Sequence, residues 1–355
     1  VTQPAAYPPV SVIMTALNES RHLDEAVDSI FEQDYPGALE LVLAVGPSRD
    51  GTEGIASRIA ARYPGRMKVL PNPTGRTPAG LNIAIAGASP DSAIIVRTDG
   101  HANLPRDYVR TAVEDLQRTS AANVGGMMVP EGTTAFENAV ARAMSQKIGM
   151  GSALFHVGGD PGPTDSVYLG VFQRAVLEKT GGFDEHFTRA QDWELNKRIR
   201  DLGETVWFDP RLQVKYRPRA SAGALAKQFH GSGIWRWQVI RAYPDTVNVR
   251  YLAAPVATLA LCLSAAVLVV DAVAVHSAVL AAVAATAPVG YAAVIVGGAA
   301  LTRRGLDAKA SLLYPVVLAT MHTSWGAGFL RAAMRDAFRS VRVRLRGGRP
   351  VRAAS

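Results

Sequence analysis

VSVIMTALNESRHLDEAVDSIFEQDYPGALELVLAV, from Val10 to Val45, is the stretch whose reading decides the fold. Its first seven residues, Val10–Ala16, are almost wholly apolar, as in a strand covered on both faces of a parallel sheet. Leu23, Ala26, Val27, Ile30 and Phe31 then fall on one face of an amphipathic helix, which Ser20 is placed to cap. Tyr35-Pro36-Gly37 ends that helix before a second apolar run, Leu39–Val45. The alternation continues with a helix from Thr52 that turns Ile55, Ala56, Ile59 and Ala60 inward, a strand at Met67–Leu70, a helix after Pro78 and a strand at Ala93–Val96. Such a βαβαβαβ pattern predicts a doubly wound α/β sheet, whose ligands collect beyond the C-terminal strand ends. Neither G-x-G-x-x-G nor G-x-x-x-x-G-K-[ST] follows the first strand, which argues against dinucleotide and P-loop chemistry.

Past Tyr108 the elements mix. The pattern predicts a helix carrying Tyr108, Val109, Ala112, Val113 and Leu116, a strand at Val124–Val129, and a Gly/Pro-rich loop at His156–Pro163. A strand at Ser166–Phe172, the turn Gly181-Gly182-Phe183, a helix at Gln191–Leu202 and short strands at Thr205–Phe208 and Leu212–Tyr216 follow. The helix Ser221–Ala242 carries Phe229, Trp235, Trp237 and Ile240 beside Lys227, Arg236 and Arg241, a pattern open to two readings, bilayer-interface anchor or core packing.

The chain has 355 residues, with 38 Lys and Arg against 30 Asp and Glu, and a single cysteine, Cys262, so no intrachain disulfide is possible. From Leu252 to Leu301 the only formal charge is Asp271, whereas residues 303–355 hold eleven basic and two acidic groups. The basic excess therefore belongs to the C-terminal tail, and a nucleic-acid partner is disfavoured. Fifty nearly uncharged residues are about twice what one bilayer crossing requires, which predicts two spans turning near Asp271–Ser277. Leu312–Leu330 is a third apolar stretch, interrupted by His322, Ser324 and Trp325, and it is read as either spanning or re-entrant. With no basic segment leading into an apolar one near Val1, the first 245 residues are expected on the cytoplasmic side. The expected organisation is a first domain over 1–245, a membrane segment over 246–330 and a basic tail over 331–355.

Two clusters carry candidate chemistry. Arg97-Thr98-Asp99-Gly100-His101 closes the fourth strand, where Asp99 and His101 form either a capped turn or an oxygen and nitrogen pair for a hard cation. Gln191-Asp192-Trp193-Glu194 opens a helix, where an acid either caps the helix or serves as a general base towards a hydroxyl.

These pieces, in their order and spacing over residues 10–240, resemble family 2 glycosyltransferases of the GT-A fold, and within them the membrane-bound ExoA-like group that makes succinoglycan and other exopolysaccharides. The resemblance is carried by Val10–Glu19, by Ser48–Thr52 (SRDGT), by Ala79–Asn82 (AGLN), by Arg97–His101 at the family's D-x-D position, by Gly181–Glu185 (GGFDE) and by Gln191-Asp192. It implies an inverting transfer from a nucleotide-diphosphate sugar, with a UDP-sugar favoured, to a polyprenyl-linked glycan at the inner membrane. It further implies Asp192 as catalytic base, a divalent ion (Mn²⁺ or Mg²⁺) at Asp99 and His101 with His230 as a further ligand, and Thr15, Ala16, Asn18, Glu19, Asp50, Arg76, Ala79, Asn82 and Thr98 around the donor. Gly181, Gly182, Gln191, Trp193 and Glu194 would lie on the acceptor side. The chain departs from the family pattern in carrying Arg97 where the D-x-D begins, Val45-Gly46-Pro47 where an acid usually follows the second strand, and Gln191 for Glu. The separation of Gln228 from Arg236-Trp237 does not match the Q-x-x-R-W signature of processive synthases. Readings that stay beside the main one are a polyprenyl-phosphate sugar synthase and a non-catalytic membrane scaffold of the same fold.

Overall fold

Alternating apolar runs and amphipathic segments in the first half of the chain build the sheet they predict. The computed structural model describes residues 7–345; residues 346–355 of the basic tail lie outside the described residues. In chain order the elements are β1 (Val10–Ala16), α1 (Leu23–Phe31), β2 (Leu39–Val45), α2 (Thr52–Arg62), β3 (Met67–Pro71), α3 (Thr77–Gly87), β4 (Ile94–Asp99), α4 (Tyr108–Thr119), β5 (Asn123–Pro130), α5 (Ala135–Met144), α6 (Lys147–Met150) and α7 (Leu154–Val157). They continue with β6 (Gly162–Pro163), β7 (Tyr168–Gln173), α8 (Arg174–Thr180), α9 (Gln191–Asp201), β8 (Val206–Tyr216), α10 (Ala222–Ala242), α11 (Ala253–Val270), α12 (Ala278–Thr302) and α13 (Ala308–Leu345). The chain divides into two compact units: one runs to Val129 and resumes over Ser152–Tyr216, the other holds Pro130–Gly151 and everything from Arg217.

The first unit is an eight-stranded sheet in the order β3-β2-β1-β4-β7-β5-β8-β6. β1 to β4 are parallel, and β7 pairs antiparallel with both β4 and β5. Successive side chains alternate faces. Val12, Met14, Leu41, Leu43, Ile94 and Val96 bury against α1, α2 and α4, while Ile13, Val42, Ala44 and Ile95 bury against α3, α8 and α9.

Three local expectations are corrected. Ser20 does not cap α1: its N-cap is His22, without a side-chain cap, and Ser20 lies in the preceding loop, its backbone N–H donating to Asp50. The two short strands expected at 205–216 are the single strand β8, in which Asp209 is buried and its carboxylate grips Arg211 across Pro210. Between Val129 and His156 the sequence reading placed no element, yet α5 begins with a reciprocal capping box, Thr134 Oγ1 accepting from the Glu137 N–H and Glu137 accepting from the Thr134 N–H.

The second unit is helical. Among the described residues, two helices are long and apolar enough to cross a membrane, Val249–Val275 and Ala278–Thr302. Asp271 opens the last, π-helical turn of the first and accepts from the Ser277 N–H beyond it, so the reversal falls at the Asp271–Ser277 stretch where the sequence placed it. The third apolar stretch lies within α13, and its Tyr314, Val317, Leu318, Met321 and Phe329 are buried. Glycines make the α10–α13 contact possible, since a Cβ at Gly233 or Gly328 would stand 2.0 Å from the carbonyl oxygen of Trp325 or His230. Trp237 of α10 meets Phe329 edge-on at 5.3 Å and donates to Asp336 at 2.8 Å, so part of the aromatic face of α10 is a packing surface.

Candidate active site

Parallel register brings four strand ends to one edge of the sheet. Ala16 pairs with Val45, Thr15 with Asp99, and Val45 with Pro71, so the loops after β1, β2, β3 and β4 leave together. Hydrogen bonds stitch the first two loops. Asn18, in the left-handed region at φ 57°, donates its N–H to Ser48 and accepts from the Arg49 N–H, while the Glu19 N–H donates to Thr52. Asp50 accepts from the Ser20 N–H at 3.0 Å and from the Thr52 hydroxyl at 2.6 Å, bonds that hold its carboxyl below the usual range. Asn18, Glu19 and Asp50 thus tie the loops after β1 and β2 together at this edge. Ala79 is buried, and the adjoining Gly80 leaves no room for a Cβ, which would lie 2.6 Å from both Thr15 and Asn72. Ala16 and Thr98 are buried in the sheet, the Thr98 hydroxyl lacks a hydrogen-bond partner, and Arg76 is exposed at the N-cap of α3.

A charged residue inside an apolar strand needs a counter-charge, and Arg97 has two, both half-buried. Residues two apart on a strand share a face, so Arg97 and Asp99 point to the layer that holds α9. The Arg97 guanidinium, with its side chain 5% exposed, lies 2.7 Å from Asp99 Oδ1 and 3.5 Å from Asp192 Oδ2. One cation therefore links the D-x-H segment to the α9 acid. Burial alone would lower the Arg97 pKa, but Asp192 and then Asp99 raise it, so the guanidinium stays charged. Burial pushes the Asp192 carboxyl up; Arg97 opposes this and Asp99 adds to it. Among the described residues Asp192 Oδ1 has no hydrogen-bond partner, nor does Arg97 Nε. The helix-cap reading of Asp192 is not realised: the α9 N-cap is Ala190, left-handed at φ 60°, with no side-chain cap.

The remaining sequence-named residues fall around this pair. His101 Nδ1 lies 3.0 Å from Glu19 Oε1. Among the described residues no three His, Cys, Asp or Glu side chains gather into a metal cage. The donor set fits an open site, since Asp99 keeps one carboxylate oxygen clear of Arg97 and His101 stands two residues on, which leaves most of a coordination sphere to phosphate oxygens. His230 is on α10 in the second unit. Gly181 and Gly182 are both left-handed, at φ 72° and 76°. Asn82 grips the turn they form, accepting from the Phe183 N–H and donating to the Phe183 carbonyl, both at 2.8 Å. Glu194 is fully buried and forks onto Arg198, which donates onward to the carbonyls of Thr180 and Gly182. Asn82 and Glu194 therefore hold the Gly181–Gly182 turn from two sides, while Gln191 and Trp193 stand half-buried on either side of Asp192. Sequence reasoning missed the bridging place of Arg97, although a lone charge after Ile94-Ile95-Val96 signals it, and it missed Arg198 four residues from Glu194.

With this geometry in view, residues 11–181 match the family model Glycosyl transferase family 2. Over 321 residues the chain is 29% identical to the succinoglycan biosynthesis protein ExoA of Rhizobium meliloti (strain 1021), covering 90% of this chain and 93% of that protein. It is 23% identical over 248 residues to a dolichyl N-acetyl-alpha-D-glucosaminyl phosphate 3-beta-D-2,3-diacetamido-2,3-dideoxy-beta-D-glucuronosyltransferase of Methanococcus voltae, covering 65% of this chain and 74% of that one. Among solved structures it is similar to the mannosyltransferase PcManGT from Pyrobaculum calidifontis in complex with GDP-Man and Mn²⁺, at 25% identity and a TM-score of 0.61, covering 94% of this chain and 90% of that one. The mixed sheet is a GT-A fold, and the matched residues, which run from β1 to the Gly181 turn, mark a family 2 glycosyltransferase domain in a chain that is similar over most of its length to ExoA.

Proposed function

We propose that the chain is a membrane-attached, metal-dependent inverting hexosyltransferase that moves a sugar from a nucleoside-diphosphate donor, a UDP-sugar first among candidates, to a hydroxyl of a polyprenyl-diphosphate-linked glycan on the cytoplasmic face of the inner membrane. The observation that carries this reading is the Asp99–Arg97–Asp192 constellation at the strand-end cleft. Asp192 takes the proton of the acceptor hydroxyl through its unpartnered Oδ1 as the acceptor oxygen bonds to C1 of the sugar and the bond from C1 to the diphosphate breaks on the opposite face. Arg97 keeps a positive charge against the ionised base. Asp99 and His101 would hold a divalent ion, Mn²⁺ or Mg²⁺, which supplies neutralisation of the charge that builds on the departing diphosphate. Asn18, Glu19 and Asp50 line the donor end, and the clamped Gly181–Gly182 turn presents the acceptor side. The two apolar helices favour a lipid-linked acceptor, because a bilayer confines enzyme and substrate to one surface.

The pH profile of kcat/KM tests the base. Asp192 must be ionised to act, and its carboxyl is pushed up by burial, so activity falls as the pH drops through that raised value and the acid limb lies above that of an exposed aspartate. Removal of divalent ions by a chelator is expected to stop transfer, with Mn²⁺ or Mg²⁺ restoring it. An acid limb at the position of an exposed aspartate, or full activity in excess chelator, contradicts the corresponding role.

A further inference from the structure

Strand β7 enters the active-site edge through a backbone conformation that a bulky residue rarely adopts. Leu169 is fully buried yet left-handed, at φ 47°. Its carbonyl accepts a buried hydrogen bond of 2.7 Å from the Tyr108 hydroxyl, which ties the kink to α4. The facing strand is cut to fit: the β5–β7 register shifts between Val124 and Gly126, and a Cβ at Gly125 would stand 2.8 Å from the Tyr168 carbonyl. At Gly126 a Cβ would meet the Leu212 carbonyl oxygen at 1.8 Å. Strain held this firmly by its surroundings is a mark of a functional position, and the residue it redirects is Tyr168.

β4 and β7 pair antiparallel up to Val96 and Val171, so the end of β7 that carries Tyr168 lies on the side of the sheet where β4 ends in Asp99. The side chain is half-buried at the edge where the loops leave. Burial and then the Asp99 carboxylate push its phenol well above the usual range, with Arg97 opposing and Asp192 adding a smaller push, so the charges of the candidate site all act on this ring.

From this geometry we infer that Tyr168 is a sugar-contacting residue of the active site, its hydroxyl donating a hydrogen bond to a hydroxyl of the transferred sugar, and that Leu169 and Tyr108 are positioning residues that aim it. The inference rests on the glycosyltransfer reading above. It gives a role to a residue on whose phenol the Asp99 and Asp192 carboxylates both act, and the ring of the transferred sugar must lie near both for C1 to pass from the diphosphate to the acceptor.

The test uses the full-length chain in membranes, a labelled nucleotide sugar, and two readouts, donor binding without acceptor and transfer with it. Tyr168→Phe removes only the hydroxyl and preserves the ring. It is expected to weaken donor binding and to lower kcat/KM for the donor about tenfold, the effect of one hydrogen bond to a buried partner, while the acceptor KM and the thermal midpoint stay unchanged. Tyr108→Phe should lower the same parameter by a smaller factor. Since Tyr108 acts through Tyr168, the double variant should be no worse than Tyr168→Phe alone. Unchanged donor binding and kcat/KM in Tyr168→Phe overturn the inference, and losses that multiply independently in the double variant overturn the positioning role. If the unsubstituted chain binds donor but transfers nothing, the transfer reading fails and the binding readout still decides Tyr168; if it binds no nucleotide sugar, both fail.

Discussion

Asp192→Asn is expected to lower kcat for sugar transfer about 10³-fold, the scale of a lost general base, with donor binding retained. The amide fills the same space at the start of α9 and cannot accept a proton from the acceptor hydroxyl at neutral pH. The substitution also separates activity from stability. The folded Asp192 holds its proton to a higher pH than the unfolded residue does, because burial disfavours the carboxylate. Across the window between those two values the folded state binds the extra proton, so this group's contribution to stability falls as the pH rises through it. At neutral pH the ionised carboxylate is therefore a burden on the fold, which Asn removes. A thermal midpoint equal to or above that of the unsubstituted chain, together with the lost turnover, is the signature of a residue kept for chemistry. A variant that unfolds, or one that still transfers, contradicts the assignment.

Arg97→Met is expected to have the opposite profile. It leaves Asp99 and Asp192 facing each other without the cation that now lies 2.7 Å from one and 3.5 Å from the other. The guanidinium is buried but both carboxylates are part-exposed, so the loss should fall short of the about 3–5 kcal/mol of a fully buried pair and still be a sizeable share of the stability of an ordinary domain. Activity should fall with it, since two close carboxylates do not both ionise and Asp192 would retain a proton at neutral pH. Arg97→Lys should restore part of the stability and less of the rate, because an ammonium is a point charge and lacks the planar fork that reaches two carboxylates at once. Urea denaturation and steady-state transfer of the same preparations read the two effects. Wild-type stability in Arg97→Met would falsify the bridging role.

Periodicity made most of the architecture legible before the structure. The parallel half follows from apolar runs separated by amphipathic helices, and the hairpin turn at Asp271 follows from the single charge in a long apolar stretch. What was hidden depends on contacts distant in sequence. Arg97 reads as a broken D-x-D when compared with relatives position by position; only the register of β4 against α9 reveals it as the counter-ion of Asp192. Glu194 reads as an acceptor-side acid, whereas its full burial and its fork onto Arg198 make it a brace for the Gly181–Gly182 turn. No sequence pattern announces a left-handed leucine, because that conformation is imposed by Tyr108 and by the glycines of β5. The start of helix α5 is written in the sequence, since Thr134 and Glu137 stand at capping-box spacing.

The most direct test of the central claim is transfer of label from a panel of nucleotide sugars, UDP- and GDP-linked forms included, into the organic-extractable lipid of membranes that contain the chain, in the presence of Mn²⁺ and beside membranes that contain the Asp192→Asn variant. The account expects label to enter lipid from one donor, with the unsubstituted chain only, and the sugar–acceptor linkage to carry the anomeric configuration opposite to that of the donor. Equal labelling in both membranes, or a product that retains the donor configuration, would contradict it.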